Sequence, residues 1–145
     1  MQEYTLARTG ERPLEFTGTL LVEEKSPAYR RHENRKSEKT RCHWFEVAIY
    51  RTKGGKFVLR TAYRFSGPAN REEPQDFVQV YTSETEMLDD LNAFDPTRCV
   101  GGFPEGEHWE EKQRTLMESI EHDYTLLVEK VETKFKEKSG PERIE

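Results

Sequence analysis

The sequence predicts an α+β fold: a five-stranded, mainly antiparallel sheet packed by a short helix and a long C-terminal helix. Three observations carry this expectation. Apolar and polar residues alternate with a period of two in several runs before residue 83. After residue 83 the apolar residues recur at three- and four-residue steps instead. Between two of the β-rich runs stands Gly54-Gly55, a short-range signal for a hairpin. Strands grouped ahead of helices favour an antiparallel sheet with its helices gathered on it, rather than alternating parallel units.

Residues 3–8 alternate weakly and form a short first strand, with Tyr4 and Leu6 inward. Thr9-Gly10 and Pro13 mark a turn. Residues 14–24 form the second strand. Leu14, Phe16, Leu20 and Val22 share one face with Gly18, while Thr17, Thr19 and Glu23 take the other. A glycine in mid-strand implies a bulge or a close contact with a large neighbour. Residues 25–40 are polar and unpatterned, and are expected to form a mobile basic loop.

Residues 41–66 form the hairpin that supplies strands three and four. A two-residue loop at Gly54-Gly55 pairs Ile49 with Arg60 and Phe45 with Arg64, mixing apolar and charged residues on both faces. A three-residue loop, Lys53-Gly54-Gly55, pairs Thr52 with Lys56, Ile49 with Leu59, Val47 with Thr61 and Phe45 with Tyr63. One face then carries Phe45, Val47, Ile49, Phe57, Leu59, Tyr63 and Phe65, and the other Trp44, Glu46, Ala48, Tyr50, Val58, Arg60, Ala62 and Arg64. A slip of one residue exchanges the faces, so burial selects the second register. Gly55 supplies the left-handed residue that such a loop needs at its end.

Residues 66–75 are a loop with two prolines, and residues 76–82 a fifth strand with Val78 and Val80 alternating against Gln79 and Tyr81. Ser83 followed by Glu86 is a capping box, opening a helix to about Phe94 with Met87, Leu88, Leu91 and Phe94 on one face. Asp95-Pro96 ends it. A Gly/Pro-rich connection over 95–106 leads to a second helix from about Glu107 to Lys136. Its apolar stripe is Trp109, Leu116, Met117, Ile120, Tyr124, Leu127, Val128, Val131 and Phe135. Acidic residues crowd its start and lysines its end, as the helix dipole favours.

The 145 residues are expected to make one domain over 1–138 with a flexible tail over 139–145. No apolar run approaches the roughly 20 residues of a membrane span. The first residues lack the basic-then-apolar layout of a signal peptide, so the expected location is cytoplasmic, away from membranes. Cys42 and Cys99 match no metal spacing.

The net charge of −5 conceals a segregation. Residues 25–64 hold twelve Lys/Arg against three Glu, whereas residues 65–145 hold nine against twenty Asp/Glu. Such asymmetry marks either an anionic partner or oppositely charged elements packed side by side. No nucleophile elbow, phosphate loop, dinucleotide loop or zinc-protease motif occurs. Glu118 with His122, one helical turn apart, reads as a surface pair rather than a metal site. No catalytic residue, metal or cofactor is therefore assigned.

The second hairpin face is the functional lead. Trp44 and Tyr50 with Arg60, Arg64 and Arg41 have the composition enriched at interface hot spots. Trp44 opposite Arg64 permits cation–π contact. Arg30, Arg31, Arg35 and Lys36 of the basic loop extend the surface. The leading expectation is a non-enzymatic protein-interaction module, with a homodimer formed through the long helix or a sheet edge. The alternative is a nucleic-acid-binding protein using the basic 25–64 region, with bases stacked on aromatics and phosphates held by arginine. A further alternative is an enzyme with a site near 99–106.

Overall fold

The architecture is that of a computed structural model, which describes residues 1–32, 40–66, 73–100 and 109–139. The sheet contains β1 (Gln2–Arg8), β2 (Glu11–Lys25), β3 (Tyr29–His32), β4 (Thr40–Thr52), β5 (Phe57–Ser66) and β6 (Gln75–Tyr81). Two helices follow, α1 (Glu84–Ala93) and α2 (Trp109–Ser139), with a 3-10 turn at Pro96–Cys99 between them. Five strands run in the spatial order β1-β2-β4-β5-β6, each antiparallel to its neighbour. This is the expected α+β arrangement. Among the described residues no helix is long and apolar enough to cross a membrane.

The hairpin adopts the three-residue loop. Ile49 faces Leu59, Val47 faces Thr61 and Phe45 faces Tyr63. The Thr52 amide donates to the Lys56 carbonyl at 2.8 Å, and Gly55 takes φ 85°. Burial is the cause: in this register Phe45, Val47, Ile49, Phe57, Leu59, Thr61 and Tyr63 all lie on the side covered by α2. Ile120, Tyr124, Leu127, Val128, Val131 and Phe135 of α2 meet them, with Leu116 and Met117 partly buried beside them. Met87 and Leu91 of α1 complete this core, and Ser83 Oγ caps α1 by accepting from the Glu86 amide.

The sheet curls. At its two edges the Thr9 amide donates to the Asp76 carbonyl at 2.9 Å, and the Asp76 amide donates to Thr9 Oγ1 at 2.8 Å. The curl encloses a second cluster on the face away from the helices. Ala48, Tyr50, Val58 and Val78 form it, with Tyr4, Leu6, Leu14, Phe16 and Leu20 packed against them.

Gly18 and Leu21 make the curl possible. A Cβ at Gly18 would meet the Arg51 carbonyl oxygen at 2.2 Å, so only glycine lets β2 approach β4 there. The close contact expected at Gly18 is thus with backbone. At Leu21 the β2–β4 register slips by one residue. This bulge corrects the single-face assignment of the second strand. Leu14, Phe16 and Leu20 join the second cluster, whereas Leu21 and Val22 join the helix-side core. An extra residue in one strand reverses which parity points inward.

Residues 25–40 also differ from expectation. β2 runs on to Lys25, and Tyr29–His32 pairs with β4 from His43 to Thr40. Between them the Ser26 hydroxyl accepts from the Phe45 amide at 2.9 Å, patching the ladder where β2 leaves it. A ladder of backbone bonds is indifferent to side-chain polarity, so a short polar strand carries no alternation to read. Residues 33–39 lie outside the described residues.

Candidate functional site

Alternation along β4 and β5 brings Trp44, Glu46, Ala48, Tyr50, Val58, Arg60, Ala62 and Arg64 onto the concave face, as the register requires. That face does not stand open to solvent along its length. Tyr50 is 4% exposed and sits within 4.8 Å of the Tyr4 ring and 5.3 Å of the Phe16 ring, centroid to centroid. Burial raises its phenol pKa. The sequence reading put Tyr50 on an outer face, whereas strands β1 and β2 fold over it and bury it, which no local pattern in the hairpin reveals.

Beyond Ala48 the face becomes ionic. Asp76 Oδ1 accepts from Arg64 Nη2 at 2.6 Å and from Arg60 Nη2 at 3.2 Å. Arg60 Nη1 also lies 3.9 Å from Glu46, as does the Lys25 ammonium. Trp44 Nε1 donates to Glu46 Oε2 at 2.9 Å. Arg64 Nη1 donates to the carbonyls of Tyr63 and Gln75. The expected pairing of Arg64 with the Trp44 ring thus gives way to a carboxylate and two carbonyls, while a cation does sit over a ring at Arg51 and Phe57, 5.7 Å apart. Charge-assisted bonds of this kind are stronger than a half-exposed cation–π contact. Three cations share two carboxylates, so Arg60 and Arg64 enter as structural partners of Asp76.

The other assigned residues lie at the far end of β4. Among the described residues β3 pairs with β4 alone, setting Arg30 opposite Cys42, Arg31 opposite Arg41 and His32 opposite Thr40. Among the described residues the last β4–β5 pair is Cys42 with Ser66, so among them the Arg31–Arg41 pair belongs to a two-stranded arm beyond it. Arg35 and Lys36 fall in 33–39, outside the described residues. The structure therefore separates two groups that the sequence placed on one surface: Trp44, Arg60 and Arg64 in the ionic network, and Arg30, Arg31 and Arg41 on the arm.

A groove along β6 has no counterpart in the sequence reading. One part, about 330 Å³, lies among Leu59, Thr61, Gln79, Tyr81 and Asp90. An adjoining part, about 560 Å³, lies among Gln75, Asp95, Arg98 and Cys99. Phe77, Ala93 and Phe94 border both. Of the segment 99–106 considered for catalysis, Cys99 and Val100 are buried in the core and 101–106 lies outside the described residues. Among the described residues neither Cys42 nor Cys99 takes part in a disulfide.

Comparison of the chain with protein-family models, with curated proteins and with solved structures gives no match in any of the three.

Proposed function

We propose that this chain is a non-enzymatic binding module, that the β3–β4 arm is its contact element, and that its partner is nucleic acid. The observation that carries this reading is the placement of Arg31 directly opposite Arg41. Like charges directly opposite in an antiparallel pair destabilise the pair. An anionic partner offsets such crowding of like charge, and arginine binds phosphate through charge-assisted hydrogen bonds. Residues 25–41 carry seven Lys/Arg against two Glu, which makes this stretch the most basic of an acidic chain. A two-stranded ribbon also has the width that the major groove of B-DNA admits. The acidic remainder repels phosphate, confining contact to the arm. A protein partner held through Trp44, Arg60 and Arg64 has less support, because those arginines already serve Asp76.

The test is anisotropy of labelled single- and double-stranded oligonucleotides titrated with the protein over a range of salt. Affinity is expected to fall steeply with salt, and Arg31→Glu with Arg41→Glu to abolish binding. Lys56→Glu, at the opposite end of the hairpin, is the control and should leave it intact. Salt-independent binding, or equal binding by the arm variant, overturns the proposal. Capture of polyglutamate but of neither oligonucleotide transfers the arm to an acidic protein partner.

A further inference from the structure

The edge strand β6 carries a second inference that does not depend on the arm. Asp76 directs both its amide and its carbonyl away from β5, onto Thr9. Backbone groups alternate along a strand, so Val78 and Val80 direct theirs to the same edge. Among the described residues neither of these valines is bonded across that edge. β1 approaches this edge where Thr9 closes on Asp76, but the rest of the strand lacks the usual side-chain protection. Residues 77–81 contain no charge, no proline and no glycine. Phe77 and Val80 are 39% and 43% exposed, among the few large apolar side chains on the surface.

The order of side chains decides what covers this edge. Residues 77–81 read Phe-Val-Gln-Val-Tyr, the same chemistry in either direction about Gln79. A two-fold axis needs a surface complementary to itself, and an antiparallel strand pair has that axis at its centre. We infer that β6 is a homodimer edge, pairing with β6 of a second copy antiparallel about Gln79. The geometry follows from the alternation. Val78 and Val80 exchange amide–carbonyl bonds with Val80 and Val78 of the second copy. Phe77 lies opposite Tyr81 of the second copy, an aromatic cross-strand pair made twice. Gln79 meets its own copy at a position without backbone bonds, where opposed Cα atoms come closest. The two sheets become one, and the exposed rings of Phe77 are covered.

Static light scattering over a wide concentration range, with circular dichroism to check folding, tests this. The wild-type chain should have the mass of a dimer. Gln79→Lys alone and Gln79→Glu alone each set like charges on the axis, and each should halve the mass with the fold kept. An equimolar mixture of the two should restore the dimer. A wild-type monomer at all concentrations, single variants that remain dimeric, or a mixture that stays monomeric overturns the inference. Oligonucleotide binding by the arm is read separately, so failure of one proposal leaves the other standing.

Discussion

The helix-covered face of the β4–β5 hairpin and its concave face are made by alternate residues of the same two strands, yet different forces hold them. Phe45, Val47, Ile49 and Tyr63 meet α2 in a continuous apolar layer. The concave face is apolar only around Tyr50 and then passes into the Glu46, Arg60, Arg64 and Asp76 network. The apolar layer is non-directional and tolerates approximate shape. The ionic network depends on one carboxylate shared by two guanidinium groups, so its value lies in completeness: breaking it costs more than never having had it.

This contrast can be broken most strongly at Phe45, whose ring contacts those of Tyr63 and Tyr124 at 5.4 and 5.8 Å. Phe45→Ala should destabilise the fold by about 3–5 kcal/mol in urea melts, through lost burial and the cavity left behind. Asp76→Ala removes the carboxylate that the partly buried Arg60 and Arg64 share, leaving, among the described residues, Arg60 only Glu46 and Arg64 only two carbonyls, and should cost about 1–3 kcal/mol. Replacing Arg60, Arg64 and Asp76 together by Met, Met and Leu should recover most of that loss. A triple variant as unstable as Asp76→Ala would show that the network gives more than charge neutrality. Ser26→Ala removes the acceptor for the buried Phe45 amide and should cost about 1–2 kcal/mol, with hydrogen exchange rising at that amide.

The smallest effect lies at Glu24, where β2 meets α2. Its carboxylate accepts from Lys134 and lies 3.2 Å from the Lys130 ammonium. These contacts, led by the Lys134 hydrogen bond, hold its pKa below the ordinary 4.5. A depressed carboxylate pKa contributes stability that is present above the unfolded value and lost as pH falls through the folded one. Glu24→Gln should therefore cost less than about 1 kcal/mol at neutral pH, and flatten the acid limb of the stability profile below pH 4.5.

Legibility in the sequence followed the locality of each interaction. The register of the hairpin was readable because Phe45, Ile49, Leu59 and Tyr63 must share a face, and only one loop length allows that. The α1 cap at Ser83 and the α2 stripe from Leu116 to Phe135 were readable for the same reason, since each is a pattern within one turn or one helix. The strand Tyr29–His32 was not, because a backbone ladder pairs it with β4 and its sequence shows no alternation. Asp76 escaped notice as the centre of the ionic network, because it sits twelve and sixteen residues from the arginines and sixty-seven from the threonine that it holds.

By itself the sequence determined the fold class, the hairpin register, the helix faces and the segregation of charge. Each follows from periodicity, turn chemistry or composition, which act over a few residues. Only the tertiary structure decided that the sheet curls, that Tyr50 lies inside the curl, and that Arg60 and Arg64 serve Asp76 while Arg31 and Arg41 stand together on an arm. Those outcomes depend on a bulge at Leu21, a backbone contact at Gly18 and the Thr9–Asp76 closure, and each joins strands that are distant along the chain.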